Sequence, residues 1–436
     1  MPTESQEYVT WFRRSSPYIN AHRGKTFVLM FGGEAIEHGN FPNIIQDIAL
    51  LASLGVRLVL VHGARPQIEA RVELRNLQSH YHKGIRITDG DALECVKDAS
   101  GSVRAQLEAL LSMGLPNSPM HLARIRVTSG NFVIARPYGI HDGVDFQHTG
   151  EVRRIQAEDI AHQLDLRNIV LISPLGYSPT GEVFNLSMED VAHQVAAALA
   201  ADKLIALDAQ PGIVGQNGEL VRELRLSEAR HLSDQLPVAN KSWMLEALIN
   251  ASQAGIERCH LISYLDDGAL LKELFSRDGC GSLIYQDSYE SIRNASIDDV
   301  GGILQLIQPL EEQGVLVRRS RELLETEISR FTVIERDGMI IACAALYPFP
   351  RERCGEIACV ATHLDYRGDN RGERLLAHLE QQARSQGLAT LFVLTTRTTH
   401  WFQEQGYASG GTEDLPEKRQ ELYNLQRNSR VFYKTL

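Results

Sequence analysis

The sequence predicts an α/β protein in two parts: a large parallel sheet covered by helices, then a smaller mixed α/β unit. Three observations predict it. Short β-rich runs alternate with helical patterns through residues 25–285, the pattern of a parallel sheet buried on both faces. A polar connector over residues 286–291 then breaks the rhythm. After it, residues 292–436 follow a new order, with a hairpin and an apolar strand feeding a Gly- and Arg-rich loop that opens an amphipathic helix.

The totals suit that reading. A chain of 436 residues is long enough for two or three domains with sizeable cores. Its composition, 43% hydrophobic and 23% charged, is that of a folded soluble protein. The net charge of −11 argues against nucleic acid as the main partner. No apolar run approaches the ~18 residues of a membrane span. Met1–Thr10 is polar and lacks the apolar stretch of a signal peptide. Six cysteines without Cys-x-x-Cys pairing read as reduced thiols of a cytoplasmic protein, with no metal site expected.

Taken in order, residues 1–24 form an arm. Tyr8–Arg14 suits a short helix broken before Pro17, free to dock on another subunit or on its own domain. Strands are expected at Thr26–Phe31, Arg57–His62, Ala123–Thr128, Asn168–Ile172, Lys203–Leu207 and Cys259–Ile262. Helices are expected at Asn43–Leu54, Asp89–Met113, Ala157–Leu164, Met188–Ala201, Asn240–Ala254 and Ala269–Phe275. Ligands of such sheets bind at the carboxyl ends of strands. Two turns lie there: Phe31-Gly32-Gly33-Glu34 and His62-Gly63-Ala64-Arg65-Pro66.

Val61-His62-Gly63, Gly84–Asp89, Thr149-Gly150-Glu151-Val152, Ile172–Gly176, Asn185–Glu189 and Lys203-Leu204-Ile205 together resemble the amino acid kinase family. The resemblance implies a kinase-like fold over residues 25–285, with departures that speak against phosphoryl transfer. The family's charge-stabilising lysine is Met30 here, and its second glycine triplet reads Gly63-Ala64-Arg65. Arginine-inhibited members of the family carry an N-terminal helix and a sensor similar to Lys203, His260 and Leu271–Ser282. The resemblance therefore implies a regulatory domain that binds L-arginine, with Lys203, His260, Glu273, Ser276 and Gly281 as candidates. Glu273 has the chemistry to pair with a guanidinium.

In the second part, a strand is expected at Ser291–Ala295 and a helix at Ile297–Gln313. Phe331–Arg336 and Met339–Tyr347 flank Asp337-Gly338, a hairpin signal. Glu356–Ala361 is the next strand, followed by Thr362–Asn370 and a helix with Leu375, Leu376, Leu379 and Ala383 on one face. Ala389–Thr395, His400–Gln405 and Arg430–Lys434 complete the unit. A loop opening a helix presents free N–H groups and a positive dipole end, which suits phosphate. An ordinary solvated turn is the alternative.

This order, with Arg367-Gly368-Asp369-Asn370-Arg371-Gly372 at the helix start and Trp401–Tyr407 after it, resembles the GNAT superfamily of N-acetyltransferases. The resemblance implies acetyl-CoA as co-substrate and direct attack of an amine on the thioester. It implies that Arg367, Gly368, Asp369, Asn370, Arg371 and Gly372 hold the pyrophosphate, and that Ala358, Cys359 and Val360 line the acetyl and pantetheine path. Glu356 is the expected base. The tyrosine acid of many members is Phe402 here, which leaves Thr395, Thr396 or a water for the thiolate.

The fusion of the two parts resembles the bacterial N-acetylglutamate synthase family. It implies L-glutamate as the amine substrate, gripped by Leu316, Arg318, Arg427 and Ser429. It also implies feedback by L-arginine and a homo-oligomer, a hexamer. A bifunctional kinase–acetyltransferase and a non-catalytic arginine-sensing CoA binder are the alternatives.

Overall fold

The computed structural model describes residues 4–113, 125–215, 218–235, 242–276, 279–286, 290–336, 338–367, 370–421 and 429–436. It divides into two compact units, Met1–Asp287 and Ser288–Leu436.

The first unit is built on an eight-stranded sheet. Its centre runs Arg258–Ser263, Lys203–Asp208, Thr26–Phe31, Arg57–His62 and Asn168–Ile172, all parallel. Alternation along these strands splits the core in two. Val28, Met30, Val59, Val61, Leu204 and Ala206 meet helices Met188–Ala198 and Trp243–Gln253. Phe27, Leu29, Phe31, Leu58, Leu60 and Ile205 meet helices Phe41–Ser53, Gly90–Ser112 and Ala269–Phe275 on the other face. A parallel sheet covered on both sides produces near-continuous apolar strands, and Thr26–Phe31 is buried at every position. A second sheet was not expected from the sequence. Val183–Asn185, Leu175–Tyr177, Val133–Pro137 and Gly150–Ile155 form four strands in that order.

The N-terminal helix corrects another expectation. It spans Glu4–His22 and runs through Pro17 instead of stopping before it. An internal proline removes one helical hydrogen bond, but the flanking turns are tied to the domain. Ser15 Oγ donates to the Phe275 carbonyl at 3.1 Å, and His22 Nε2 donates to the Leu274 carbonyl at 2.8 Å. Tyr18 and Ile19 pack on the adjoining core, whereas Val9, Trp11 and Phe12 remain exposed.

The second unit has a seven-stranded sheet. Its centre is Met339–Phe349, antiparallel to Cys354–Thr362, which in turn runs parallel to Thr390–Thr395. Arg430–Thr435 flanks Thr390–Thr395 on the other side. Helix Arg371–Ser385 covers one face through Leu375, Leu376, Leu379 and Ala383, the four residues the sequence pattern selects. Gly387, at φ +77°, follows the end of this helix. The helix expected from Ile297 starts as a 3-10 turn, Ile297–Asp299, and becomes Val300–Glu312, covering the opposite face. Among the described residues no helix is long and apolar enough to cross a membrane.

Leu379 is fully buried at the centre of the covering face. Leu379→Ala is expected to lower the unfolding free energy by about 3 kcal/mol, the usual cost of a Leu-sized cavity. Urea denaturation followed by circular dichroism checks this, and a loss under about 1 kcal/mol would show that the site collapses around the gap.

Candidate functional site

The strand Cys354–Thr362 is nine residues long, but its parallel partner accompanies it only from Cys354 to Ile357, opposite Thr390–Val393. Beyond Ile357 the two strands part, and residues 358–362 pair only with Met339–Phe349 on their other side. There the register slips by one residue: Cys343 faces Ala361 and Ala345 faces Ala358. The extra residue forms a bulge, and Cys359 within it has φ +55°. A non-glycine residue in that region is strained, and bulges re-aim backbone groups beside functional sites. The parting strands therefore leave an open edge of amides at the bulge. Cys359 itself is buried, and its carbonyl accepts from the Cys343 thiol at 3.7 Å.

Glu356 lies two residues before the split, cross-strand from Tyr347 and Phe392. It is 8% exposed. Arg419 grips it in bidentate fashion, Nε to Oε2 at 2.7 Å and Nη2 to Oε1 at 3.0 Å, the arrangement that fixes a carboxylate most firmly. The sequence gives no sign of Arg419, which sits in the charged run Glu417–Glu421 and reads as solvated. Arg319 was also missed. Its guanidinium faces Tyr347 and Cys359, while its neighbour Arg318 is exposed. The Tyr347 hydroxyl donates to Glu327 Oε2 at 2.6 Å, and burial raises its pKa above the ordinary tyrosine range.

Helix Arg371–Ser385 begins as expected in one respect and not in another. Asn370, its N-cap, takes the left-handed conformation with φ +54°, which asparagine tolerates better than most residues. A Cβ on Gly372 would meet the Trp401 ring at 3.0 Å, so the first turn rests on that indole. Arg367 is exposed. Arg371, expected to hold pyrophosphate, instead turns its side chain inward. It is 8% exposed, with Nε donating to Glu290 at 2.6 Å and Nη1 to the Tyr366 carbonyl at 2.9 Å. A buried guanidinium needs a carboxylate more than it needs a solvated loop, so only its backbone remains for an anion. Gly368, Asp369 and Arg427 lie outside the described residues. Leu316 packs against the core beneath the sheet, and Ser429 directly precedes the last strand, Arg430–Thr435.

Thr395 ends its strand, with its hydroxyl 2.7 Å from that of Thr398 and accepting from the amides of Arg397 and Thr398. Strand alternation places it on the pleat opposite Phe392, which sits beside Glu356.

In the first unit the structure brings four of the five sensor candidates into one chain of contacts. Lys203 Nζ is 3.4 Å from His260 Nε2, and His260 Nδ1 is 2.7 Å from Glu273 Oε1. Glu273 Oε2 accepts from the amides of Cys280 and Gly281 at 2.7 and 2.9 Å. Gly281 has no room for a side chain, because a Cβ would strike the Leu261 carbonyl. Ser276 caps the end of Ala269–Phe275, its hydroxyl on the Lys272 carbonyl. Burial opposes ionisation of Glu273, but hydrogen bonds from His260, Gly281 and Cys280 prevail and hold its pKa at about 2. Burial, reinforced by Lys203, lowers His260, and His22 nearby falls to about 4 for the same reasons. The pair is therefore a carboxylate beside a neutral imidazole, with acceptor capacity left on the carboxylate.

The two glycine turns of this unit are closed. Met30 is fully buried in the core. Gln67 Nε2 donates to the Gly33 carbonyl at 2.9 Å, and a Cβ on Gly33 would collide with the Gln67 amide and with Pro66. Gly63 packs against the Gly32 Cα and the Met188 sulfur. Side chains thus pack closely around both turns.

The chain matches the amino acid kinase family over residues 25–263 and the acetyltransferase (GNAT) family over residues 302–407. It is 57% identical to an amino-acid acetyltransferase of Ectopseudomonas mendocina, over 99% of this chain and 100% of that one. An amino-acid acetyltransferase of Azotobacter vinelandii is equally similar at 57%, with the same coverage. The crystal structure of N-acetylglutamate synthase from Neisseria gonorrhoeae complexed with coenzyme A and L-arginine is 38% identical, with a TM-score of 0.89, covering 98% of this chain and 99% of that one. The same synthase complexed with coenzyme A and N-acetyl-glutamate gives a TM-score of 0.63 at the same identity and coverage.

The depressed pKa of Glu273 has a defined pH signature. The unfolded chain binds this proton near pH 4.5 and the folded one only near 2. The stabilisation is therefore complete above pH 4.5 and is lost as the pH falls toward 2. Relative to Glu273→Gln, the wild type is expected to give up about 3 kcal/mol across that window. Urea denaturation of both proteins at stepped pH checks this, and a constant difference would show that the carboxylate is not specially stabilised.

Proposed function

Because the chain belongs to the amino-acid acetyltransferase family, an amino acid kinase fold joined to a GNAT fold, we propose that it transfers the acetyl group of acetyl-CoA to the α-amine of L-glutamate, the first step of arginine biosynthesis. The observation that carries this reading is the split strand, with its bulge at Cys359 next to Glu356. The amides at the bulge suit the acetyl carbonyl, whose developing negative charge they would stabilise. Glu356, oriented by Arg419, takes the ammonium proton through a water. The freed amine attacks the thioester carbon, the new C–N bond forms, and the C–S bond breaks. As the C–S bond breaks the nitrogen gives up its second proton, and a proton reaches the leaving thiolate through solvent or by relay through the Thr395 hydroxyl, which takes one up as it passes one on.

Arg367, the residues through Gly372 and the N-terminus of Arg371–Ser385 hold the pyrophosphate, through backbone groups at Arg371. Arg318, Arg427, Ser429 and Leu316 hold the glutamate carboxylates, and Arg319 adds a cation facing the same strand. The Lys203–His260–Glu273–Gly281 cluster with Ser276 receives the inhibitor L-arginine, whose guanidinium would sit against Glu273. The closed glycine turns support a regulatory domain without kinase activity. The exposed Val9, Trp11 and Phe12 suit an interface between copies in a homo-oligomeric, hexameric enzyme of the cytoplasm.

Free thiol release from acetyl-CoA in the presence of glutamate tests the reaction. Glu356→Gln should lower kcat at least about 100-fold while leaving acetyl-CoA affinity unchanged; unaltered turnover would remove Glu356 from the mechanism. Glu273→Gln should raise the half-inhibiting concentration of arginine about tenfold or more, the loss expected for a charge-assisted hydrogen bond. Inhibition identical to the wild type would place the arginine site elsewhere.

A further inference from the structure

One buried carboxylate lies outside the chemistry described so far. Glu290 stands three residues beyond the division between the units, just before the chain enters the second sheet at Ser291. The sequence reads this stretch as a polar connector, yet Glu290 is only 6% exposed. Three arginines converge on it. Arg371 Nε donates to Oε1 at 2.6 Å, Arg374 Nη1 donates to Oε2 at 2.8 Å, and Arg336 Nη1 lies 3.7 Å from Oε1. Arg371 and Arg336 also lie over the Tyr366 ring, at 5.3 and 5.5 Å.

The positions of these partners give the contact its meaning. Arg371 is the first residue of the cofactor helix, and Tyr366 ends the turn Leu364–Tyr366 before the loop. Arg371 bonds to Glu290 and to the Tyr366 carbonyl at once. The two ends of the Arg367–Asn370 stretch are thus held together by one guanidinium, and that guanidinium is held by one carboxylate. The carboxylate brings three cations close together, two of them with almost no access to water, and offsets part of their mutual repulsion.

We propose that Glu290 is a positioning residue for acetyl-CoA, and that it makes the cofactor cradle answer to the connector leading from the arginine-binding unit. Any pull on the chain before Ser291 acts on Glu290 first. Its withdrawal takes a buried anchor from Arg371 and lets the start of the helix shift from the geometry that meets the pyrophosphate. This rests on the acetyl-CoA reading of the loop.

The test is equilibrium binding of CoA by calorimetry, with and without saturating arginine, beside steady-state kinetics of the full chain. Glu290→Gln should raise both the Kd for CoA and the KM for acetyl-CoA about tenfold, as expected for losing a charge-assisted contact. The KM for glutamate and kcat should stay within about twofold. Glu290→Asp, which keeps the charge on a shorter arm, should recover part of the affinity. Arginine should shift the CoA affinity of the wild type and shift that of Glu290→Gln less. If Glu290→Gln does not fold, Arg371→Gln removes the same contact from the helix side, with the same shift in CoA affinity expected. Unchanged CoA affinity in the folded variant, or an arginine response equal to that of the wild type, overturns the proposal. A wild type that binds CoA but does not acetylate glutamate would overturn the earlier reading instead.

Discussion

A backbone amide in a sheet can serve a neighbouring strand or a ligand, but not both. The strand Cys354–Thr362 uses only part of its length on its parallel neighbour. Its first four residues complete the sheet against Thr390–Val393, and the remainder gives up that partner. The rest of the second unit compensates for the gap. Arg430–Thr435 holds Thr390–Thr395 along its whole length from the other side, so the sheet closes beyond the split. The helices Arg371–Ser385 and Val300–Glu312 bury opposite faces of the same strands. The opening is thus a local fault in a sheet that is otherwise fully braced.

Charge is managed by a similar rule in both units. Single buried carboxylates collect several donors: Glu273 takes an imidazole and two amides, Glu290 takes three arginines, and Glu356 takes both arms of one guanidinium. Buried ions are tolerable only when paired and hydrogen-bonded. Each of the three therefore fixes the segments that supply its donors.

The long strands and helices were legible because their periodicity is strong. Thr26–Phe31, Arg57–His62 and Asn168–Ile172 are apolar runs bounded by turn residues, and they stand where the sequence places them. The four-stranded sheet around Val133–Pro137 was not legible. Leu175–Tyr177 and Val183–Asn185 are three residues each, too short for a period to declare itself. Among the candidate site residues, motif context singles out Glu356, the Arg367–Gly372 loop and the Lys203–Glu273 set. Side-chain direction was beyond it. Nothing in Arg367–Gly372 says that Arg371 turns toward Glu290, since its partner lies 81 positions earlier in the chain. Arg419 reaches Glu356 across 63 positions, from a run that looks wholly solvated.

The closed glycine turns of the first unit bear on how such a domain changes over evolutionary time. Restoring a lysine at Met30 would put an ammonium in a dry core among Val28, Val61 and Ala206. Gln67 and Pro66 would still crowd Gly33. A dry strand position and a crowded glycine are two separate obstacles, and a substitution at one leaves the other in place. Gly63 rests on the Gly32 Cα, so the two turns share their packing and change in concert.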